Sequence, residues 1–236
     1  MKSINFIGDI HGNYIELLEL SNLMPPGEFI SVGDIIDRGP NSKKVIEFFM
    51  KNGRVILGNH EHMMLDFFNN NGSYYAYDAW ILNGGVPTIK SFLNKKNIEK
   101  LSTIKLFNLK DFLTPYISSS ILNWLSSLPL YIQENDFIVT HGSINPSIPF
   151  EKTLNIGKNA FDVRCETSIL WNRGKPRRKE KFQIHGHTPH IKAFEYKDKK
   201  GVFGINLDTS SEEYITGMHW PSKEIFSVKI KNELLL

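Results

Sequence analysis

The chain has 236 residues, 41% of them hydrophobic, with 28 Lys and Arg against 25 Asp and Glu for a formal net charge of +3. That length suits one large domain with a substantial core, and so small a charge does not by itself indicate nucleic acid or an anionic membrane as the main partner, which leaves the partner open. The single cysteine, Cys165, excludes an internal disulfide, no run approaches the roughly 20 apolar residues of a membrane helix, and the apolar start at Ile4-Asn5-Phe6 leaves no room for a signal peptide, so a reducing, cytoplasmic setting is expected.

Ser3 to Gly8 is apolar-biased and ends at a carboxylate, as a first strand would. Tyr14, Leu17, Leu18 and Leu20 recur at helical spacing from Asn13 to Met24, and Pro25-Pro26-Gly27 closes that helix. A second strand over Glu28 to Gly33, a helix over Ser42 to Asn52 stopped by Gly53, and a third strand over Arg54 to Leu57 complete a β-α-β-α-β run. Such a run requires right-handed crossovers and a parallel core. From His62 to about Leu130 the pattern predicts a mostly helical cap region, with Met63, Met64, Phe67 and Phe68 on one face and an Asn/Gly/Tyr-rich loop over residues 69–77. Tyr74, Tyr75, Tyr77 and Trp80 read there as core aromatics or as a substrate-groove wall, and Asp78 as the cap of the helix after it. Strand character returns at Asp136 to Thr140, Phe182 to His185, Val202 to Leu207 and Ile225 to Ile230, which predict a second sheet. The fold class expected is α/β, a β-sandwich of two mixed sheets flanked by helices, in a single domain over residues 1–236.

Three clusters carry the chemistry. Gly8-Asp9-Ile10-His11-Gly12, Gly33-Asp34-Ile35-Ile36-Asp37-Arg38-Gly39 and Gly58-Asn59-His60-Glu61 each follow an apolar run, and Asp9, Asp34 and Asn59 stand twenty-five residues apart. That interval is about one strand, one helix and their turns, so successive strands deliver their ligands to one sheet edge at the strand C-terminal ends. Asp9 and His11, two apart, project to the same side of an extended segment and can share one ion. Asp34 has two carboxylate oxygens and can bridge that ion to a second, to which Asn59 offers an amide oxygen. Two late histidines complete the second set: His141 in Thr140-His141-Gly142 and His187 in Gly186-His187-Thr188-Pro189. Taken singly, each of these is more often a turn residue or a solvated side chain; the joint order makes them a site. His185 competes with His187 but reads as a structural strand residue, and His62 as a residue facing a helix surface or the cap. Lys175 to Lys181 is an exposed basic loop that could attract an acidic or phosphorylated substrate. The mixed carboxylate, amide and imidazole set suits two borderline divalent metal ions, Mn first, with Fe or Zn as alternatives.

These motifs, together with Gly58-Asn59-His60-Glu61-His62-Met63-Met64, Leu82-Asn83-Gly84-Gly85 and Trp171-Asn172-Arg173, resemble the calcineurin-like metallophosphoesterases. The likeness is to their phosphoprotein phosphatase branch, in particular the small bacterial and phage lambda-type enzymes, and it runs from Asn5 to about Thr209. It implies that Asp9, His11 and Asp34 bind one metal, and that Asp34, Asn59, His141 and His187 bind the other. Arg38 and Arg173 would clamp the phosphate oxygens, a role suited to a planar, permanently charged guanidinium. His60, oriented by Asp37, would be the general acid for the leaving alkoxide. The implied reaction is hydrolysis of phosphoserine or phosphothreonine, extending to phosphotyrosine, in a phosphoprotein or phosphopeptide. Water or hydroxide bridging the two metals would attack phosphorus directly, and Cys165 lacks the surroundings of a nucleophilic phosphatase cysteine.

Asp37-Arg38-Gly39-Pro40-Asn41-Ser42 also resembles the diadenosine tetraphosphate hydrolases of the same superfamily, which sets a dinucleoside polyphosphate as the alternative substrate. A non-catalytic phospho-ligand binding module is a third reading, disfavoured because such a module needs neither His60 nor its Asp37 partner. The chain also departs from the lambda-type pattern. Those proteins tend to carry an Asp-Thr-Gly turn where this sequence has Asp208-Thr209-Ser210-Ser211-Glu212-Glu213, and the acidic pair is expected to change what approaches the pocket edge. No nucleic acid or membrane partner is expected, and the oligomeric state is left open.

Overall fold

In β1 (Ile4–Ile7), Ile4 and Phe6 face one apolar layer and Ile7 another, and all are buried, as a central strand covered on both faces requires. The computed structural model describes residues 2–69, 73–153 and 167–231; Cys165 lies outside the described residues. β1 is followed by α1 (Tyr14–Leu23), β2 (Glu28–Ser31), α2 (Ser42–Asn52) and β3 (Gly53–Val55). The three strands pair in parallel, as the crossover pattern predicts.

Among the described residues six helices follow: α3 (Asn59–Asn69), α4 (Tyr74–Leu82), α5 (Gly85–Phe92), α6 (Lys95–Leu101), α7 (Leu106–Leu113) and α8 (Ser119–Ser126). Met63, Met64, Phe67 and Phe68 are buried with Trp80, Leu113 and Leu125 in the layer between these helices and the first sheet. Part of the loop expected over residues 69–77 is helical instead. Ser73 caps α4 by accepting the Ala76 amide at 3.3 Å, so Tyr74, Tyr75 and Tyr77 are helical and Asp78 lies inside α4 rather than at an end. Residues 70–72 are outside the described set.

The second half supplies β4 (Tyr131–Gln133), β5 (Phe137–Thr140), β6 (Phe182–His185), β7 (Phe194–Asp198), β8 (Gly201–Asn206), β9 (Tyr214–Trp220) and β10 (Glu224–Lys229). Two five-stranded mixed sheets result, in the orders β10-β9-β1-β2-β3 and β4-β5-β6-β8-β7. They stack through Ile4, Phe6, Ile30 and Val32 of one and Phe137, Val139, Ile184 and Ile205 of the other. Phe6 meets Phe137 edge-on with ring centroids 4.9 Å apart, an arrangement aromatic quadrupoles favour.

One expectation about the sheets is corrected. Ile225 to Ile230 was expected in the second sheet, but β10 forms the edge of the first, paired with β9 along its whole length. Its Val228 buries against the helical layer, because a hairpin partner stays in the sheet that β9 joins through β1. The strands β4, β7 and β9 have weak sequence signals: β4 is three residues long, β7 is an edge strand with only Tyr196 buried, and β9 carries Gly217 and His219.

Candidate metal centre

The loops after β1, β2, β3, β5 and β6 converge at one place. After β1, β2 and β6 the side chains are aimed by left-handed backbone rather than by strand alternation: His11 (φ 47°), Asp34 (50°), Asp37 (71°), Arg38 (63°) and His187 (69°) all have positive φ. Each such non-glycine residue costs on the order of 1–3 kcal/mol, which persists only where surrounding contacts impose it. Asp9 and His11 therefore do not share one extended segment, as expected from their spacing. β1 ends at Ile7, and the turn beyond it is tied to the second loop by the amides of Ile10 and His11, which both donate to the Asp34 carbonyl at 3.0 and 2.9 Å. Asn59, His60 and Glu61 likewise leave the strand and form the first turn of α3.

Asp34 is central. One donor atom each from His11, Asp34 and His60 lie within 4.8 Å of one another, and so do single donors from Asp34, His141 and His187. Asn59 joins the second group, its Oδ1 lying 2.7 Å from His141 Nε2 and 2.9 Å from His187 Nδ1. His141 Nε2 is also 3.3 Å from Asp34 Oδ1. The other ring nitrogen of His141, Nδ1, donates to the Val32 carbonyl at 2.8 Å, so a neutral His141 turns the lone pair of Nε2 toward two oxygens. Four lone-pair donors facing one another fit a divalent cation. A proton on His141 is the other way to reconcile them: burial opposes the charge, but Asp34 and Asp9 outweigh it and raise the group to about 9.

The remaining electrostatics follow from the same crowding. Burial opposes ionisation of Asp34, yet His141, His60 and His11 hold it well below the usual carboxylate range. Burial, then Asp208 and Asp34, push Asp9 well above it; its carboxylate accepts the His187 amide at 3.3 and 3.2 Å. Abutting carboxylates of this kind are relieved by a cation. His11 faces the Ile36 carbonyl through Nδ1 at 3.0 Å, and burial, then His60 and Arg38, hold it well below the histidine range. Burial, then His141 and Arg173, do the same for His187. Both rings are thus held in the neutral form that binds metals.

His60 Nδ1 donates to Asp37 Oδ2 at 2.7 Å, while Nε2 lies 3.7 Å from Asp34 Oδ2. Burial opposes the imidazolium, but Asp34 and Asp37 raise His60 above its usual range. Asp37 is itself anchored: Oδ1 accepts from Trp80 Nε1 at 3.0 Å and Thr88 Oγ1 at 2.6 Å. Its amide donates to Thr88 Oγ1 at 2.8 Å and Ser42 Oγ at 3.1 Å. At the rim, Arg38 places Nη1 2.8 Å from His11 Nε2 and Nη2 3.2 Å from His60 Nε2. Arg173 donates to the His187 carbonyl at 2.9 Å, so the two guanidinium groups flank the cluster on its His11 and His187 sides. A cleft of about 350 Å³ opens beside Asp9, His11 and Arg38 and runs to Ile15, Glu213 and Lys231.

All ten side chains expected at the site are therefore gathered around Asp34 or at the edge of its cluster. Trp80, Thr88 and Ser42 were not expected there. Trp80 read as core or groove, and nothing local marks Thr88 or Ser42 as partners of Asp37. His185, by contrast, packs on Tyr196 at 5.3 Å between ring centroids, and burial depresses it to about 4. Two cations of the basic loop are taken by the fold: Arg178 grips Asp198 with two bonds of 2.8 Å, and Lys181 donates to the Glu134 and Asn135 carbonyls. At the Asp208 departure, Oδ1 accepts the Ser210 amide at 3.0 Å, and a short 3-10 turn over Ser210–Glu212 occupies the place of the glycine turn.

Residues 2–205 match the family described as calcineurin-like phosphoesterase. The chain belongs to the calcineurin-like phosphoesterases. This phosphoesterase is a hydrolase of phosphate esters, and its family uses a dimetal site. It is 26% identical to the symmetrical bis(5'-nucleosyl)-tetraphosphatase of Wigglesworthia glossinidia brevipalpis, over 95% of this chain and 98% of that one. It is 27% identical to the asymmetrical bis(5'-nucleosyl)-tetraphosphatase PrpE of Oceanobacillus iheyensis, over 95% and 91%. Two further curated relatives are matched over only 40% and 53% of their own length. Among solved structures, a point mutant of a cold-active protein tyrosine phosphatase superposes with a TM-score of 0.64 at 16% identity, over 98% of this chain and 81% of that one, a likeness of fold. No helix among the described residues is long and apolar enough to cross a membrane.

Proposed function

We propose that this phosphoesterase hydrolyses phosphoserine and phosphothreonine, and by the same chemistry phosphotyrosine, in proteins or peptides. The observation that carries the reading is the Asp37–His60 pair beside Asp34. With Nδ1 committed to Asp37 at 2.7 Å, His60 presents Nε2 to the cluster, and against burial and Arg38, whose Nη2 stands 3.2 Å away, Asp34 and Asp37 favour a proton there. A departing serine or threonine alkoxide needs that proton. A phosphate leaving from a polyphosphate chain is stable as an anion and does not.

Asp9, His11 and Asp34 would hold one divalent cation and Asp34, Asn59, His141 and His187 a second, Mn first, with Fe or Zn as alternatives. When bound, such a pair lowers the pKa of water toward neutrality and draws charge from the phosphoryl oxygens. Arg38 and Arg173 orient the phosphate and offset the charge that spreads over its equatorial oxygens. His60 delivers its Nε2 proton to the leaving oxygen while Asp37 holds the ring. Water attacks phosphorus directly, so no phosphoenzyme forms.

A second reading, hydrolysis of a dinucleoside polyphosphate, is favoured by the end-to-end likeness to two bis(5'-nucleosyl)-tetraphosphatases. Metal-stripped protein resupplied with Mn, Zn, Fe or Mg separates the two when assayed on a phosphoserine peptide, p-nitrophenyl phosphate and diadenosine tetraphosphate. The expected result is preference for the phosphopeptide. His60→Asn should then lose about 10²–10⁴ in kcat on the peptide and far less on p-nitrophenyl phosphate, whose leaving group is stable without a proton. Faster cleavage of diadenosine tetraphosphate, untouched by His60→Asn, would move the assignment to the second reading.

A further inference from the structure

Glu61 stands two residues beyond Asn59, is fully buried, and has no part in the chemistry above. Its carboxylate takes four backbone amides: Oε2 accepts from Asp34 and Gly58, both at 2.9 Å, and Oε1 from Ile35 at 2.9 Å and Ile36 at 3.3 Å. Three of those donors are consecutive, starting at Asp34, whose φ of 50° turns successive N–H groups toward one side. A concavity of that kind binds anions. Here the protein fills it with its own carboxylate, and α3 supplies both that carboxylate and Asn59. The same turn is pinned again where the His60 amide donates to Asp34 Oδ1 at 3.1 Å.

We propose that Glu61 is a positioning residue that sets the separation of Asp34 from Asn59 and thereby builds the second cation's ligand set, an inference that rests on the dimetal reading above. Glu61 reaches no donor atom of the cluster itself. It grips the backbone of Asp34, which serves both ions, and of Gly58, which leads into Asn59, a ligand of the second ion alone. Its hold on Ile36 reaches His11 only at one remove, through the Ile36 carbonyl that His11 Nδ1 meets at 3.0 Å, whereas its bond to Gly58 acts directly on the turn into Asn59, so its loss falls more heavily on the second ion. A purely structural carboxylate would make no such distinction. Partners of metal ligands typically contribute 10–100-fold to metal affinity, and four charge-assisted bonds to one group are at the strong end of such support.

The test is Mn(II) titration of metal-stripped wild type, Glu61→Gln and Glu61→Asp, followed by calorimetry and by electron paramagnetic resonance. The amide of Gln turns an NH2 toward one pair of backbone donors, and the shorter Asp cannot span both pairs. Wild type should bind two ions whose shared Asp34 gives an exchange-coupled signal. Both variants should keep the first equivalent within about threefold and lose the second by about 10–100-fold, with the coupled signal giving way to that of isolated Mn(II). Equal weakening of both equivalents, or two tightly bound ions in either variant, would overturn the proposal. Loss of folding in both variants would overturn it too, by assigning Glu61 to the fold as a whole. If wild type itself takes up fewer than two ions, it is the dimetal reading that fails, whatever the variants do.

Discussion

His141 binds a carbonyl through one ring nitrogen and faces two oxygens through the other, so a metal ion held there would take the place of its second proton. In metal-free protein its folded pKa of about 9 lies above the ordinary histidine value. The stabilisation it confers is therefore fully present below about pH 6.5 and is lost as pH rises through about 9. Asp34, held well below the carboxylate range, is the other end of the same interaction; its contribution is lost only as pH falls through that depressed value. With chelator present, the free energy of unfolding from urea titrations should fall by roughly 3 kcal/mol between about pH 6.5 and about pH 9. His141→Asn should flatten that limb. Saturating Mn(II) should flatten it as well, because the neutral ring then holds a cation in place of the proton; an undiminished slope with Mn(II) would separate His141 from metal binding.

At the scale of elements, α4 and α5 reach the proposed acid, His60, through Asp37. Trp80 lies in α4 and Thr88 in α5, and both donate to Asp37 Oδ1, fixing the carboxylate that in turn orients His60. Removing one donor leaves a buried acceptor short of a partner, which costs about 1–3 kcal/mol. Trp80→Phe and Thr88→Val should each lower kcat on a phosphoserine peptide by roughly tenfold, since about 1.4 kcal/mol on a barrier is tenfold in rate. Turnover of p-nitrophenyl phosphate should stay within about twofold, because its leaving group does not depend on the acid. A uniform fall on both substrates would reduce the two residues to packing.

This contact also shows what sequence pattern can and cannot reveal. Asp9, His11, Asp34 and Asn59 stand out because each follows an apolar strand beside a glycine, a signal local enough to read. The bond from Thr88 to Asp37 joins residues 51 apart, and neither the threonine nor its neighbours carry a mark of it. The parallel core was legible for the same local reason, as strand and helix periods alternate cleanly through Asn52. The sheet membership of β10 was not, since it depends on β9, whose glycine and histidine blur the strand period.

For the molecule as a whole, the site lies on the seam between two sheets that share one apolar interior. Asp9 follows a strand of the first sheet and His187 a strand of the second, and the His187 amide donates to the Asp9 carboxylate across the seam. Gly186 makes that approach possible. Its own amide donates to the His141 carbonyl at 2.9 Å, and a Cβ built on it would collide with Asp9 Oδ1 and lie 2.7 Å from Val32 Cγ2. Gly186→Ala should therefore push the two sheets apart where their ligands meet, destabilising the fold by about 1–3 kcal/mol and weakening Mn(II) binding by at least tenfold, about the size of losing one support for a ligand. Gly201→Ala is the matching control. Gly201 has a φ of 104° with open space around it, at the β7–β8 turn, so substitution there strains the backbone and lowers the melting temperature by a comparable free energy without touching the seam. Thermal melts and Mn(II) titrations of the two variants in parallel distinguish a loss of metal due to sheet separation from one due to lower stability alone: only Gly186→Ala should show both, and equal metal affinity in the two would mean that the cluster does not depend on how the sheets abut.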